Sequence, residues 1–589
     1  MDSLRIFDIP YLQKEKYPKE DCIASKVNGS WLKISTENFI STAETLAYGF
    51  LDAGINKGDG IATICSNNRI EWNFVDLAIL MIGAVHVPIY PTISDDDYKF
   101  IFTDAEIKYV FVSDEKLYDR IKIIAKEIPT IKNVHTFNEI NGAPHWKEFL
   151  SIGEKNPVPE KLDAIKRSIS HMDLATMIYT SGTTGTPKGV MLSHNNLVSN
   201  VLAAKVFVPV REDGKALSFL PLCHVYERML NYLYQYLGIS IYYAESIDAI
   251  GDNLKEVKPD VFVAVPRVLE KVYDKVLAAG NALTGIKKKL FFWSVDLGIR
   301  FEMNNANGWW YDFQLSIARK LVFKKWQAGV GGNVKVIASG SAPLQPRLQR
   351  IFWAAGIPVL EGYGLTETSP VISVNRLTPG DAKFGTVGPL IPGVEVKIAD
   401  DGEILCKGPN VMMGYYKRPD LTMEAIDRDG WFHTGDIGIF ADNKFLMITD
   451  RKKELLKTSG GKYVAPQPIE NKFKESPYIS QIMVVGDGQK FTGALIVPNF
   501  HNLEAWCKTN NVPITEHRLL VQNEKVTALF DAERDRLNAS FGHVEQVKRY
   551  ELLPDEWTTL GGELTPTLKV KRKFILDKYK WAVQKIYVE

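Results

Sequence analysis

The distribution of hydrophobic residues along the chain predicts buried strands that alternate with helices. Short runs rich in β-branched residues are separated by longer stretches with helical periodicity. The clearest runs are 59–66 (DGIATICS), 105–113 (AEIKYVFVS), 175–181 (ATMIYTS), 334–340 (VKVIASG) and 357–364 (IPVLEGYG). This alternation is typical of βαβ units, so we expect parallel sheets with helices on both faces.

One apolar stretch, 77–94, approaches the ~20 residues that a helix needs to cross a bilayer. It contains two prolines and a histidine, and Gly83 lies where a helix from about Glu71 would end. Proline and glycine at these positions interrupt a helix. We therefore predict a helix, a glycine turn and a buried strand that begins at Ala84.

The pattern changes after about Pro389. The runs 394–408 and 437–450 are typical of hairpin strands joined by Asp-Gly and Asp-Asn turns. The charged run RKKELLK then precedes a glycine pair, Gly460 and Gly461, and new strand and helix signals continue to the last residue. These features predict an α/β protein with parallel sheets, a small β-barrel-like section and a domain boundary near 450–453.

Composition limits the class of protein without identifying it. The 589 residues are 45% hydrophobic and 24% charged, with a formal net charge of +1. Ordinary globular usage excludes a disordered, collagen-like or fibrous chain, and a near-zero net charge does not favour nucleic acid as a partner. The five cysteines form no C-x-x-C pair, and no secretory signal is visible, so we expect reduced thiols and a cytoplasmic protein.

The segment 178–194, IYTSGTTGTPKGVMLSH, has the composition of a polyphosphate-binding loop. Hydroxyls and backbone N–H groups at this density suit phosphate oxygens, and glycines permit close approach. The Walker A spacing G-x-x-x-x-G-K-[ST] is absent, because Gly189 follows Lys188. A surface linker rich in serine and glycine is the alternative. The candidate phosphate-binding residues are Thr180, Ser181, Gly182, Thr183, Thr184, Gly185 and Lys188.

The string YTSGTTGTPKGVMLSH resembles the first signature of the adenylate-forming superfamily of acyl-CoA synthetases, luciferases and peptide-synthetase adenylation domains. Further motifs follow in the order typical of that family, and the resemblance extends from about Trp31 to Phe574. They are FLPLCHVYER (219–228), ASGSAPL (338–344), EGYGLTET (361–368), GWFHTGD (430–436), DRKKELLKTSGGKYVAPQPIE (450–470) and LTPTLKVKRKF (564–574). HVYER, KTSGGKYVAPQPIE and TPTLKVKR most resemble long-chain fatty acyl-CoA synthetases.

The resemblance implies an AMP-forming long-chain fatty acid–CoA ligase that uses ATP, Mg²⁺ and coenzyme A. It also implies an N-terminal adenylation domain (1–449), a hinge (450–453) and a small, mobile α+β C-terminal domain (454–589). A fatty acyl-AMP ligase that acylates a carrier protein, or a medium-chain or aryl acid–CoA ligase, is the alternative within the same chemistry. A nucleotide-binding regulatory protein without catalysis is a different class, disfavoured because Lys188, Glu367 and Lys569 are all present.

In the N-terminal domain the resemblance assigns Tyr363 to adenine, Thr366 to the phosphates, Glu367 to Mg²⁺ and His224 to the carboxylate site. Further predicted nucleotide contacts are Gly340, Ser341, Glu361 and Gly362. Each motif also has an ordinary structural interpretation. Gly-Tyr-Gly can be a turn, Thr-Glu can cap a helix, and a lone histidine beside apolar residues is often part of the core.

Further along the chain the resemblance assigns Asp436, near the end of the N-terminal domain, to the ribose diol, Arg451 to the ribose or a phosphate, and Lys453 to the pivot of the hinge. It assigns Gly460 to the route of the CoA thiol and Lys569 to the carboxylate and α-phosphate during adenylation. The ordinary interpretations are a turn aspartate, a glycine pair that ends a helix and a solvated charge run. Leu568 replaces the glycine common before this lysine, so Lys571 remains an alternative to Lys569.

The section 285–329 is rich in Phe, Trp and Leu, which favours a long apolar acyl chain as substrate. Lys287–Lys289 precede LFFW, and Lys324 and Lys325 lie between Phe323 and Trp326. Basic residues beside aromatics suit an anionic lipid surface, so we hypothesise reversible peripheral binding to the inner face of a membrane. An amphipathic helix packed on the domain is the alternative. The expected partners are a fatty acid and CoA.

Overall fold

The computed structural model describes residues 4–180, 186–559, 561–565 and 569–588. The chain forms two compact units. The first comprises Met1–Val396, Leu405–His433 and Asp442–Leu446, and the second comprises Lys397–Ile404, Thr434–Ala441 and Met447–Glu589. Among the described residues, no helix is both long enough and apolar enough to cross a membrane.

The strands are numbered in chain order. They are β1 (Ile23–Val27), β2 (Ser30–Ile34), β3 (Gly60–Ile64), β4 (Val85–Ile89), β5 (Ile107–Val112), β6 (Asn133–Thr136), β7 (Leu174–Thr180), β8 (Lys188–Ser193), β9 (Lys215–Ser218), β10 (Ser240–Tyr243), β11 (Val261–Val263), β12 (Val336–Ser339), β13 (Val359–Gly364), β14 (Val371–Val374), β15 (Glu395–Ile398), β16 (Glu403–Lys407), β17 (Gly414–Tyr415), β18 (Phe432–Ala441), β19 (Phe445–Arg451), β20 (Leu456–Lys457), β21 (Tyr463–Val464), β22 (Ile479–Val485), β23 (Gly493–Pro498) and β24 (Arg549–Leu552).

The α-helices are numbered in the same way. They are α1 (Ile9–Lys16), α2 (Thr36–Asp52), α3 (Ile70–Met81), α4 (Asp95–Asp104), α5 (Glu115–Ala125), α6 (Lys147–Lys155), α7 (Pro159–Ser168), α8 (His194–Ala204), α9 (Val225–Leu237), α10 (Ile250–Val257), α11 (Pro266–Asn281), α12 (Gly285–Ile299), α13 (Trp309–Ala318), α14 (Lys324–Gly329), α15 (Pro346–Ala354), α16 (Pro419–Ala425), α17 (Pro466–Phe473), α18 (Phe500–Thr509), α19 (His517–Leu520), α20 (Glu524–Asn538), α21 (Arg572–Lys578) and α22 (Lys580–Tyr587). A π-helical segment, Arg319–Phe323, joins α13 to α14, and Thr366–Thr368 form a 3-10 turn.

The first unit contains two large sheets. One has seven strands in the order β17-β8-β7-β4-β3-β5-β6, and its β3, β4, β5, β6 and β7 are parallel. Every residue of β3 and β4 is buried, as expected of parallel strands covered on both faces. The predicted strands at 59–66, 105–113 and 175–181 are confirmed.

The other sheet has eight strands in the order β14-β13-β12-β11-β9-β10-β1-β2. Its inner strands are parallel, and β14 and β2 close the two ends as antiparallel strands. The residues that follow β9, β12 and β13 therefore share one edge, where ligands bind in open α/β sheets. Two further strand predictions, 334–340 and 357–364, are confirmed.

The apolar stretch 77–94 is a helix, a turn and a strand, as predicted. Helix α3 ends at Met81, Gly83 has a φ of +71°, and β4 begins at Val85. The left-handed backbone at Gly83 favours glycine, because a β-carbon there is strained.

The helical section 285–329 packs most of its aromatic residues inward. Phe291, Phe323 and Trp326 are buried, and they join a core that includes Tyr273 and Ile351. The hypothesis that the aromatics beside the lysines face a membrane is therefore wrong for these three side chains. They belong to the packed face of an amphipathic segment, which was the alternative.

The smaller sheets lie in the C-terminal part of the sequence. Strands β15, β16, β18 and β19 form a four-stranded sheet, which confirms the two predicted hairpins. Further on, β20 pairs with β21, and β22, β23 and β24 form a three-stranded sheet. Helices α17, α18 and α20 bury Phe473, Leu503 and Phe530 in one core with the strand residues Ile482 and Leu495.

Candidate active site

The predicted phosphate-binding segment lies between β7 and β8. These strands pair antiparallel, with Thr180 opposite Lys188. Ser181, Gly182, Thr183, Thr184 and Gly185 lie outside the described residues. The register therefore fixes Thr180 and Lys188 as neighbours at the two ends of the segment.

Lys188 and Glu367 both contact Tyr415. The Lys188 ammonium lies 5.1 Å from the centroid of the Tyr415 ring, and the Tyr415 hydroxyl donates a hydrogen bond of 2.9 Å to Glu367 Oε1. The backbone fixes both contacts. Tyr415 pairs with Val190 of β8, and the Met412 N–H donates to the Glu367 carbonyl at 2.8 Å. A cation, a phenol and a carboxylate are thereby held at one place.

The protonation of Tyr415 suits a donor to Glu367. Burial and the neighbouring carboxylate raise the pKa of Tyr415 above its ordinary value, so its hydroxyl stays protonated. This hydrogen bond engages only one of the two oxygens of Glu367. Thr366 precedes Glu367 in a 3-10 turn whose N-cap is Leu365, so the Thr-Glu pair does not cap an α-helix.

The turn after β12 contains Gly340 and Ser341. A β-carbon at Gly340 would lie 3.3 Å from the ring of Tyr226, so glycine permits this close approach. Glu361 of β13 is buried and accepts the Leu344 N–H at 2.9 Å. Burial raises the pKa of Glu361 to about 8, while the hydrogen bond from Leu344 opposes that rise. The buried carboxyl group of Glu361 therefore stabilises the turn that follows β12, because it accepts the Leu344 N–H.

The sequence Gly362-Tyr363-Gly364 belongs to strand β13. It pairs antiparallel with β14, with an irregularity between Tyr363 and Gly364. A β-carbon at Gly364 would lie 1.8 Å from the carbonyl oxygen of Pro370, so packing requires glycine there. Gly-Tyr-Gly is thus not a simple turn. It places the half-buried Tyr363 at the carboxyl end of the strand.

His224 is the N-cap of α9 and not a residue within the helix. Its Nδ1 accepts the Tyr226 N–H at 3.2 Å. Tyr226 in turn packs beside Gly340, so the first turn of α9 lies next to the turn that follows β12. Two predicted site residues, His224 and Gly340, are therefore both in contact with Tyr226.

Arg228 of the HVYER motif is completely buried. Its Nη2 donates to Asp76 Oδ1 at 2.5 Å, its Nε to the Tyr232 hydroxyl at 2.7 Å and its Nη1 to Thr176 Oγ1 at 2.7 Å. Asp76 also lies 2.6 Å from Nδ1 of His86. These contacts connect α9 to α3, β4 and β7, so they fix the helix that begins beside His224.

The charges in this cluster are balanced. Burial by itself would raise the pKa of Asp76, but Arg228 and His86 lower it to about 2. Burial lowers the pKa of His86 to about 4, so the imidazole is neutral. One cation and one carboxylate therefore remain inside the protein, which is the arrangement in which a buried ion pair is tolerated.

In the second unit, Asp436 and Arg451 are neighbours. The carboxylate of Asp436 lies 3.3 Å from Nε of Arg451. Asp436 is buried in the middle of β18, so its interpretation as a turn residue is wrong. Arg451 is the last residue of the adjacent strand β19.

The segment 450–453 begins with a buried, hydrogen-bonded aspartate and ends with an exposed lysine. Asp450 is buried, and its two carboxylate oxygens accept the N–H groups of Arg451 and Gln467 at 2.6 and 3.3 Å. Lys452 forms ion pairs with Asp401 and Glu403 at 2.6 and 2.9 Å. Lys453 is exposed.

Gly460 lies in the turn between β20 and β21. The preceding residues KELLK form a turn and a short strand, so this glycine pair does not end a helix. Gly461 has a φ of +77°, whereas a β-carbon at Gly460 would have its nearest neighbour, Thr458 Oγ1, at 4.0 Å. The local fold thus requires glycine at 461 but has space for a side chain at 460.

Lys569 lies next to a backbone bridge between Leu564 and Val570. Its N–H donates to Thr565 Oγ1 at 3.0 Å, and its carbonyl accepts the Thr565 N–H at 2.8 Å. Lys569 is half-buried, and Lys571 is exposed at the N-cap of α21. The two alternatives for the adenylation lysine therefore differ in exposure.

The comparisons with known proteins cover both units. Residues 12–416 match the model of the AMP-binding enzyme family, and residues 453–589 match its AMP-binding enzyme C-terminal domain. A long-chain-fatty-acid–CoA ligase of Mycobacterium bovis is 34% identical over 95% of this chain and 93% of its own length. The chain belongs to the AMP-binding enzyme family.

Further relatives of this AMP-binding enzyme agree with that assignment. Human long-chain-fatty-acid–CoA ligase 6 is 32% identical over 95% of this chain and 82% of its own length. The solved adenylation domain of a carboxylate reductase from Mycobacterium chelonae has a TM-score of 0.77 at 22% identity, covering 100% of this chain and 91% of that domain. The resemblance to the adenylate-forming superfamily and the predicted α/β fold are confirmed.

Three residues of this AMP-binding enzyme that matter to the site were not predicted from the motifs. Tyr415 connects Lys188 to Glu367, Tyr226 packs beside Gly340, and Arg228 forms the buried ion pair with Asp76. The only available signal was that Tyr226 and Arg228 belong to HVYER. Tyr415 has no such signal, because its partners are distant in sequence.

Proposed function

We propose that this AMP-binding enzyme is a long-chain fatty acid–CoA ligase. It joins a fatty acid to AMP from ATP with release of pyrophosphate, and then transfers the acyl group to the thiol of CoA with release of AMP. A carboxylate is a poor electrophile, because its charge repels nucleophiles and it lacks a leaving group. Adenylation removes both obstacles. Relatives 34% and 32% identical that carry this activity in their names support the proposal.

The arrangement of Lys188, Tyr415 and Glu367 is the observation on which the site assignment depends. The Lys188 ammonium lies over the Tyr415 ring, 5.1 Å from its centroid, and the Tyr415 hydroxyl fixes the Glu367 carboxylate at 2.9 Å. A cation and a carboxylate held by one residue suit a polyphosphate and its counter-ion. Lys188 binds phosphate oxygens, together with Thr366 and the Ser/Thr-rich segment that begins at Thr180.

Mg²⁺ fits the carboxylate of Glu367. Hard divalent cations prefer oxygen ligands, and the hydrogen bond from Tyr415 fixes the orientation of this carboxylate while engaging only Oε1. The ion supplies charge neutralisation on the phosphates. Glu367 holds it, and Tyr415 keeps Glu367 in place.

The adenine and carboxylate sites lie at the carboxyl edge of the eight-stranded sheet. Tyr363 presents its ring to the base, and Gly340, Ser341 and Gly362 form the adjoining backbone. His224, fixed as the N-cap of α9, orients the fatty acid carboxylate. Asp436 and Arg451 bind the ribose, since one carboxylate accepts hydrogen bonds from two adjacent hydroxyls.

The two half-reactions use different parts of the C-terminal domain. Lys569 contacts the carboxylate and the α-phosphate during adenylation, and Gly460 lines the route of the CoA thiol afterwards. The domain, 454–589, rotates about a hinge at 450–453, with the exposed Lys453 as its pivot. The open space around the β-carbon position of Gly460 supports a functional reason for glycine there.

A test with palmitate separates the leading proposal from carrier-protein acylation. The purified enzyme receives palmitate, ATP and Mg²⁺, with either CoA or an acyl carrier protein as thiol acceptor. We expect palmitoyl-CoA and an equal amount of AMP with CoA, and no acylated carrier protein. Acylation of the carrier protein alone contradicts the ligase proposal.

We also propose a cytoplasmic location, supported by five cysteines that are all free thiols.

A further inference from the structure

The outer face of the segment Trp309–Lys325 exposes three aromatic rings. Trp309, Trp310 and Phe313 are 78%, 57% and 53% exposed, and Leu321, two turns further on, is 52% exposed. The Trp309 and Trp310 rings lie 5.7 Å apart, and Trp310 stacks on Phe313 at 5.6 Å. Isolated exposed apolar residues are ordinary, whereas a contiguous group indicates an interaction surface.

The same face is positively charged. Between Trp309 and Lys325, all of which the structure describes, the exposed residues include Lys320, Lys324 and Lys325 and no carboxylate. Arg319 instead donates its Nε to the Ala354 carbonyl at 2.8 Å, and Asp312, which interacts with Arg319, is half-buried. We call Trp309, Trp310, Phe313, Lys320, Leu321 and Lys324 the aromatic-basic face.

The opposite face of the segment is already packed. Tyr311, Leu315 and Phe323 are buried in the core of the first unit, and the Tyr311 hydroxyl donates to the Leu297 carbonyl at 2.6 Å. Packing of this inner face against the core explains why the segment is amphipathic. The exposed rings of Trp309, Trp310 and Phe313 do not belong to that core. Their exposure needs a separate reason.

We propose that the aromatic-basic face binds an anionic lipid bilayer. Tryptophan and phenylalanine rings favour the interface between headgroups and acyl chains, and lysine side chains are attracted to an anionic lipid surface. The charge favours lipid over a second copy of this chain, because a self-complementary contact would bring lysines together with no carboxylate on the face to balance them. The proposal rests on the proposed function in one respect: a fatty acid substrate partitions into that bilayer.

Vesicle binding tests the proposal directly. The full-length enzyme is sedimented with vesicles of pure phosphatidylcholine or of phosphatidylcholine with 30% phosphatidylglycerol, at low and high salt. We expect binding to the anionic vesicles that high salt weakens. The variants W309S/W310S/F313S and K320E/K324E should each bind at least about tenfold more weakly, because each removes one of the two contributions.

Matched controls separate this surface from charge and hydrophobicity in general. Lys116→Glu on α5 changes an exposed lysine elsewhere, and Met423→Ser removes a side chain of a residue that is 74% exposed; both should bind like the wild type. Unchanged thermal midpoints of all variants show that they fold. Equal vesicle binding by the wild type and both face variants overturns the proposal. It is also overturned if the wild-type enzyme is a dimer that binds no vesicles and if the W309S/W310S/F313S variant is a monomer.

Activity distinguishes a failure of this proposal from a failure of the proposed function. Acyl-CoA formation is measured with palmitate delivered from cyclodextrin and with palmitate in anionic vesicles. The face variants should retain the wild-type rate with cyclodextrin and lose at least about threefold with vesicles, because they reduce the bound fraction. Vesicle binding without acyl-CoA formation contradicts the ligase function and leaves the lipid-binding face intact.

Discussion

The guanidinium of Arg572 lies 3.2 Å from the carboxylate of Glu454. Arg572 follows Lys569 by three residues, and Glu454 comes immediately after the predicted hinge. The same guanidinium forms an ion pair with Glu470 and donates to the Val484 carbonyl at 2.9 Å. Arg572 thus joins the residues around Lys569 to the start of the C-terminal domain and to its three-stranded sheet.

This relationship predicts a selective effect of Glu454→Gln. The substitution retains the shape of the side chain but removes the charge that orients Arg572, so Lys569 is less precisely placed. Acyl-AMP formation, measured as pyrophosphate release from palmitate and ATP, should fall roughly three- to tenfold. Conversion of supplied acyl-AMP to acyl-CoA should be unchanged. Glu475→Gln is the control, because Glu475 pairs with Lys472 at similar exposure. Equal losses in both half-reactions contradict the positioning role.

Tyr415→Phe tests the contact between Tyr415 and Glu367. Phenylalanine retains the ring beneath Lys188 and removes only the hydroxyl that donates to the carboxylate. A hydrogen bond to a charged group contributes about 1.5–3 kcal/mol, so pyrophosphate release should fall by roughly 10- to 100-fold. We expect the Mg²⁺ concentration for half-maximal rate to rise. Tyr416→Phe is the control, and an unchanged Mg²⁺ dependence in Tyr415→Phe contradicts the assigned role of Glu367.

The buried carboxyl of Glu361 predicts a pH dependence of stability. Its pKa is raised from 4.5 to about 8 in the folded protein, so the folded state favours the protonated form. The contribution of Glu361 to the free energy of unfolding is therefore fully present below pH 4.5 and is lost as the pH rises towards 8. Glu361→Gln should therefore weaken the fall of the thermal midpoint between pH 5 and 8. Glu115→Gln, on the exposed surface of α5, should leave that slope unchanged. If the slope of Glu361→Gln equals that of the wild type, Glu361 is not protonated in the folded protein.

Much of the fold follows from local patterns. The buried strands β3, β5, β7, β12 and β13 were predicted because parallel strands covered on both faces appear as continuous apolar runs. The hairpin β18-β19 was predicted because its turn residues specify local geometry. Such signals depend only on residues near one another in sequence.

The remaining features depend on contacts between distant segments. Tyr415 joins Lys188 and Glu367 because β17 pairs with β8, and no spacing in the sequence specifies that pairing. Likewise, periodicity shows that the segment 309–329 is amphipathic but not which aromatic residues face the core. Phe323 is buried and Trp309 is exposed, although each is next to one apolar residue in the sequence.

The two half-reactions should be separable by substitution. Lys569→Ala removes a cation from the α-phosphate, so acyl-AMP formation should fall by roughly 10²–10³-fold while supplied acyl-AMP is still converted to acyl-CoA. Gly460→Leu should do the reverse, because it fills the thiol route without a steric conflict in its own turn. Rapid-quench assays of each half-reaction provide the measurement. A selective adenylation defect in Lys571→Ala, with Lys569→Ala unaffected, assigns the role to Lys571 instead.

The chain-length dependence of acyl-CoA formation tests the central claim most directly. Purified enzyme is assayed with ATP, CoA and saturated fatty acids from two to twenty carbons, and AMP and thioester are both quantified. Burial of each methylene contributes about 0.8 kcal/mol, so kcat/KM should rise by up to about fourfold per carbon until the acyl site is filled. Palmitate should be far superior to acetate, with one AMP formed per acyl-CoA. Acetate as good as palmitate, or AMP formation without thioester, contradicts a long-chain fatty acid–CoA ligase.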